Sequence, residues 1–143
     1  MRDFESPFNV HDPGFNRDWW SDPFFRSKRA DYRPYSFVDE EGNEVARVLL
    51  RADAGFSDPE GAGVSLPLSA VAIDFIEVHA EWRWPRRGVG MHVVRLVEDL
   101  FPSRTLYAFS EEADSFWAAT GWVHIPRLDD SAGYRPLFVL DRG

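Results

Sequence analysis

The stretch Trp84-Pro85-Arg86-Arg87-Gly88-Val89-Gly90-Met91 combines the features of an anion site. Glycine lacks a Cβ, so the backbone at Gly88 and Gly90 can approach a ligand closely. The first amides of a helix that starts there have no intrahelical acceptor and stand at the positive end of its dipole. A pyrophosphate can accept those N–H groups, and Arg86 and Arg87, with Arg83 just upstream, add charge-assisted hydrogen bonds. Two glycines spaced by one residue also fit a plainer role, in which they only let the helix lie close to a sheet while the arginines stay in water. Three arginines at a helix N-terminus oppose the dipole unless an anion compensates them, which favours the anion site. The turn is neither the phosphate loop that ends in Gly-Lys-Ser/Thr nor a full dinucleotide fingerprint.

Such a turn needs a strand before it and a helix after it, and the flanking residues supply both. Ala70 to Val78 is a nearly continuous apolar run broken by Asp74 and Glu77, as expected of a central strand covered on both faces. Val89, Val93, Leu96, Val97, Leu100 and Phe101 recur at three- and four-residue spacings, one apolar stripe on an amphipathic helix ended by Pro102. Upstream, Tyr35 to Asp39 and Val45 to Arg51 flank a turn at Glu41, Gly42 and Asn43, the signal of an antiparallel hairpin. Gly55 to Pro67, with its glycines and prolines, reads as an exposed, mobile loop. Downstream, Thr105 to Phe109 is a short strand and Glu111 to Thr120 a helix with Gly121 at its left-handed cap. Trp122 to Ile125 and Leu137 to Leu140 are the last strands. Residues 1 to 34 hold Phe4, Phe8, Phe15, Trp19, Trp20, Phe24 and Phe25 without clean periodicity, which reads as an arm of short helical turns and loops packed on the body.

A length of 143 residues fits one domain, with the core over 35–140, and 44% apolar residues are enough to bury. With no cysteine, disulfides, thiolate zinc sites and cysteine nucleophiles are excluded, and no metal site is expected. No apolar run is long enough to span a bilayer and Met1 is followed by Arg2, Asp3 and Glu5, so a cytoplasmic protein without a membrane partner is expected. The net charge of -8 repels phosphate backbones and attracts cations, which points to amines and away from nucleic acid as partners.

The segment Ile76-Glu77-Val78-His79-Ala80-Glu81-Trp82-Arg83, followed by Arg87-Gly88-Val89-Gly90, resembles the fourth strand and acetyl-CoA loop of the GNAT acetyltransferases. Ala113-Asp114-Ser115-Phe116-Trp117-Ala118-Ala119-Thr120-Gly121-Trp122 is similar to that family's later Ala-x-x-Phe-Tyr-x-x-x-Gly-Phe segment, and the element order agrees. The resemblance implies a single α/β domain built on a central mixed, mostly antiparallel twisted sheet of about six or seven strands with helices on both faces. It implies acetyl-CoA as co-substrate, held by Val78, Arg83, Arg86, Arg87, Gly88, Val89, Gly90, Met91 and Phe116. Three positions depart from the pattern. Pro85 stands where the motif has Arg or Gln, the connection from Val78 to Gly88 is longer than usual, and Trp117 replaces a tyrosine that in many members protonates the departing thiolate.

Direct transfer to a primary amine of a small molecule or protein is the implied reaction, and an amine protonated at neutral pH must first lose a proton. Glu77, then His79, then Asp74 are the candidate bases on or beside the buried strand. Strict alternation puts Glu77 and His79 on one face and Asp74 on the other, unless a bulge resets it. A backbone amide near Val78 is a candidate oxyanion donor. The alternative class is a non-catalytic module that keeps the fold and acyl-CoA binding, and the missing tyrosine is its support. A toxin that acetylates charged tRNA shares the fold but requires a wide basic surface, against which the charge argues. Either a monomer or a homodimer is compatible with the aromatic density.

Overall fold

The structure, a computed structural model, describes residues 12–16, 20, 32–83, 88–110, 113–129 and 135–142. Six strands form the main sheet in the order β1-β2-β5-β6-β8-β7. They are β1 (Tyr32–Val38), β2 (Glu44–Arg51), β5 (Val71–Val78), β6 (Leu106–Phe109), β7 (Val123–Ile125) and β8 (Leu137–Leu140). All neighbours run antiparallel except β5 and β6, which are parallel. A parallel pair requires a crossover. Helix α2 (Val89–Leu100) lies in that crossover, preceded by one helical turn, α1 (Ala80–Arg83).

The hairpin closes as its sequence dictates. Asp39 accepts the amides of Glu41 (2.9 Å) and Asn43 (2.8 Å) through Oδ1, and Gly42 takes the φ of 85° that a β-carbon would disfavour. On one face of the sheet, Val48, Leu50, Val71, Ile73 and Leu106 pack with Val93, Val94 and Val97 of α2 and with Trp117 and Trp122. Each fully buried valine of α2 contributes roughly 1.5–3 kcal/mol by leaving water. Leu100, placed by its spacing on the apolar stripe, is 49% exposed, and Val94 is buried in its stead. The reason is that α3 (Asp114–Ala119) sits beside α2 on this same face, so the buried arc of α2 is widened toward Trp117. Gly121 caps α3 with a φ of 84°, in the left-handed region.

The opposite face is covered differently. Phe15 and Trp20 of the arm pack with Leu49 and Phe75, while the arm's remaining aromatics, also expected to pack on the body, lie outside the described residues. Beside them, the stretch expected as an exposed, mobile loop is a folded hairpin. Strand β3 (Ser57–Asp58) pairs with β4 (Val64–Ser65), and Gly61 and Ala62 at its tip are buried. Side chains at its tip close it. The carboxylate of Asp58 accepts the amides of Gly61 (3.1 Å) and Ala62 (3.2 Å) and lies 3.5 Å from Arg127. Among the described residues no helix is long and apolar enough to cross a membrane.

Candidate functional site

Strand β5 leaves its parallel partner early. Its pairing with β6 covers only Val71–Leu106 and Ala72–Tyr107, whereas its pairing with β2 continues to Val78. The two parallel strands therefore part like a wedge, and no strand among the described residues pairs with the β6-side edge of β5 from Asp74 to Val78. An extended ligand can lie along a strand where its neighbour diverges, as an added strand would. The apex of the wedge is marked by a bulge. Leu49 faces Phe75 and Leu50 faces Ile73, so Asp74 is the extra residue.

That bulge resets the alternation of side chains. Ile73 and Ile76, three residues apart, both face the α2 side, and Asp74 joins Phe75 and Glu77 on the other. Strict alternation would have separated Asp74 from Glu77. Instead, all three candidate bases lie on one side of the sheet, with different neighbours.

Glu77 and His79 are engaged with the arm. The Glu77 carboxylate accepts the indole N–H of Trp20 at 2.7 Å and the amide of Asn16 at 2.9 Å. His79 is 8% exposed, with Gly14 so close that a Cβ there would fall 2.0 Å from its ring. Its Nδ1 accepts the Glu81 amide at 3.1 Å, which leaves Nε2 to carry the proton donated to Asp12 at 3.0 Å. Both nitrogens are thus committed within the protein. Replacing Glu77 with glutamine is expected to destabilise the arm by roughly 1–3 kcal/mol, because one amide N–H then faces donors. A lower thermal midpoint and faster proteolysis of the arm check this.

Acid should loosen the same corner. Burial pushes the Asp12 carboxyl up, but the Gly14 amide, the His79 ring and the Arg47 charge together outweigh it and hold the group below its ordinary 3.8. A carboxyl depressed in the folded state stabilises fully above its unfolded value and loses that contribution as pH falls through the native one. The stability advantage of the wild type over Asp12→Asn, about 1 kcal/mol, should therefore persist above pH 3.8 and vanish at lower pH in thermal melts.

Asp74 has other neighbours. It stands at the wedge apex, 3.4 Å from Arg51 Nη2, and lines a cavity of about 150 Å³ with Phe75, Tyr107, Ala108, Phe109 and Arg135. A second cavity of about 370 Å³ shares Tyr107 and Phe109 and reaches Arg51, Ala54 and Phe56. Asp53 on its rim is the one described non-glycine residue with a positive φ, 50°. Burial pushes the Tyr107 phenol above 10.0 against the pull of Arg51, so its hydroxyl stays protonated and donates to Ala54 O at 2.6 Å. Neither Arg51 nor Tyr107 stands out in the sequence. The only signal is a charge closing the apolar run Val48-Leu49-Leu50.

The start of α2 lies at the wide end of the wedge. Gly88 caps α2 in the left-handed conformation, φ 71°, and a Cβ built on it would meet no atom of the described residues within 4 Å. The first helical bond is His92 N–H to Gly88 O at 3.0 Å, so the amides of Val89, Gly90 and Met91 have no intrahelical acceptor. Gly90 serves packing, since its Cβ would come within 3.0 Å of Phe116 and 3.6 Å of Val78. The two readings of the glycines thus divide between them: Gly88 opens space, and Gly90 brings the helix onto the sheet. Arg86 and Arg87, and the side chain of Arg83, lie outside the described residues. Trp117 is 3% exposed and packed on Trp122 at 5.1 Å between ring centroids, so the tyrosine's place holds a core indole.

No protein-family model matches the sequence, and no curated protein does. Solved structures do match the fold. Tetrahymena GCN5 aligns with a TM-score of 0.57 at 12% identity, over 92% of this chain and 81% of that one. A KacTA–DNA complex aligns at 0.59 and 14%, over 96% and 85%. A mutant AtaT toxin bound to acetyl-CoA and to the C-terminus of the antitoxin AtaR aligns at 0.52 and 14%, over 78% and 68%. Identities this low carry the fold alone.

Proposed function

We propose that this chain, whose fold is that of the GNAT acetyltransferases, is an acyl-CoA-dependent N-acyltransferase. It moves an acetyl group from acetyl-CoA to a primary amine of a small molecule or protein. One observation carries the reading: β5 runs on past the end of its pairing with β6, from a carboxylate at the wedge apex toward the helix amides at Gly88–Met91. Four residues of strand separate Val78 from Asp74, about 13 Å, a distance an extended pantetheine arm can cover.

The residues present fit the co-substrate. The space in front of Gly88 and the amides of Val89, Gly90 and Met91 suit a diphosphate, with Arg83, Arg86 and Arg87 as its charged partners. Val78 and Phe116 back the same turn. Bound there, acetyl-CoA supplies the acetyl group as a thioester with a thiolate leaving group. The edge amides of β5 orient the arm and donate to developing negative charge. The Asp74 carboxylate takes the proton from the acceptor ammonium, while Phe109 and Tyr107 limit water at the apex. Geometry thus favours Asp74 over Glu77 and His79, whose polar atoms hold the arm. In the absence of a tyrosine at Trp117, the protonated Tyr107 hydroxyl is the phenol that lines the apex cavity among the described residues.

A second reading, a binding module that keeps acyl-CoA and has lost turnover, is favoured by the buried indole of Trp117, which has no acidic proton to give a thiolate. Release of free thiol from acetyl-CoA in the presence of mixed amines separates the two. Acetyl-CoA affinity with no thiol released above background would establish the module. A nucleic-acid partner is not proposed, because the net charge of -8 opposes one.

A further inference from the structure

Arg51 is the least satisfied guanidinium near the wedge. It has five N–H donors, and among the described residues its one hydrogen bond is the 3.4 Å contact from Nη2 to Asp74 Oδ1. Its Nε is buried with no acceptor among the described residues, and the side chain as a whole is 35% exposed, so its Nη donors are open to a ligand arriving from outside. Burial alone would weaken the guanidinium's hold on its proton, but Asp74 and the phenols of Tyr107 and Tyr32 overcome this, so it remains a cation.

The two members of this ion pair look into different spaces. Arg51 lines the cavity of about 370 Å³, and Asp74 lines the adjoining one of about 150 Å³ at the wedge apex. Tyr107 and Phe109 border both, and Phe56 closes the larger one, with its ring centroid 5.3 Å from Tyr107 and 6.2 Å from Phe109. An aromatic-lined space of this size, with Arg51 and Asp74 meeting between its two parts and Asp53 and Arg135 also on its walls, has the makeup of a small-molecule site.

We infer that the acceptor is a free α-amino acid with a bulky apolar side chain. Its ammonium pairs with Asp74, its carboxylate takes the spare donors of Arg51, and its side chain lies in the larger cavity against Phe56 and Phe109. The match is one of spacing as well as sign. An α-amino acid carries its two charges on a single carbon, so it can bridge an ion pair already in contact and engage both members. A guanidinium fork is the group best shaped for a carboxylate. An amine without the carboxylate would leave Arg51 as unsatisfied as it is now, and a peptide N-terminus has no free carboxylate at that carbon. This inference rests on the acyltransferase reading for the word acceptor, but the pocket's preference can be measured without any turnover.

The experiment compares L-phenylalanine with its decarboxylated analogue phenethylamine and with L-phenylalanine amide on the full chain. Binding is followed by calorimetry in the presence of acetyl-CoA, and transfer by thiol release. Phenylalanine is expected to bind at least about tenfold more tightly than either analogue, the minimum for a charge-assisted hydrogen bond. In Arg51→Gln that ratio should fall to near one, and in Arg51→Lys, which keeps the charge without the fork, part of it should return. Equal affinity for the three ligands in the wild type, preference for phenethylamine, or a ratio that survives in Arg51→Gln would overturn the inference. The wild-type comparison stands even if a variant fails to fold. If phenylalanine binds selectively yet no thiol is released, the pocket assignment holds and the acyltransferase reading fails. If thiol is released with phenethylamine as readily as with phenylalanine, the reverse is true.

Discussion

Replacing Gly88 with valine is expected to abolish measurable acetyl-CoA binding in a protein that still folds. Gly88 adopts φ 71°, where an L-residue is strained, and a Cβ there meets no atom of the described residues within 4 Å. A side chain there therefore clashes with none of the described residues and stands in front of the helix amides when a diphosphate approaches. The conformational cost is roughly 1–2 kcal/mol, a loss of a few degrees in thermal midpoint. The ligand loses both the space and the orientation of the Val89, Gly90 and Met91 amides, so affinity should drop at least about a hundredfold, equivalent to some 3 kcal/mol. Titration calorimetry with acetyl-CoA, run beside a thermal melt, reads the two effects separately. Affinity unchanged in a folded Gly88→Val protein would place the coenzyme elsewhere.

The second large effect is expected at the wedge apex. Asp74→Asn keeps the shape of the side chain and removes its ability to take a proton, so turnover should fall by about 10²–10⁴-fold, the usual contribution of a positioned general base. Acetyl-CoA affinity should stay within a few-fold, because the proposed diphosphate site at Gly88–Met91 lies beyond the other end of β5. Glu77→Gln provides the contrast. Its carboxylate holds Trp20 and the Asn16 amide, so it should cost stability first and turnover of the folded enzyme much less. Were Glu77→Gln to lose more turnover than Asp74→Asn at equal folding, the base would be Glu77.

These contrasts depend on distinctions that the chain's local chemistry does not contain. Asp74, Glu77 and His79 share one short segment, and alternation alone sorts them by parity. Two long-range events change the sorting. Pairing with β2 inserts the bulge at Asp74, because Leu49 and Leu50 skip one residue of β5, and the arm then returns across 57 to 67 residues to take up the polar atoms of Glu77 and His79. Nothing in the spacing of Gly14, Asn16 or Trp20 announces that they will meet this strand. Arg51 was equally hidden, since its significance lies in the acceptors it lacks.

What the amino-acid order determines by itself is whatever depends on near neighbours. The stripe Val89, Val93, Val97 makes a helix one-sided wherever it packs, Asp39 and Gly42 bend a hairpin with no outside help, and Gly88 ahead of Val89 starts a helix with open amides. These are matters of a few residues and a few ångströms, governed by sterics and by the period of the backbone. Tertiary structure decided which candidate groups hold the arm and which line the apex cavity, and whether 55–67 is a loop or a hairpin with a buried tip. It also decided on which face α3 lands, and hence that Trp117 is core. Each of these turns on a contact between residues far apart in the chain, where the free energy comes from desolvation and hydrogen bonding across the fold and leaves no periodic trace in the sequence.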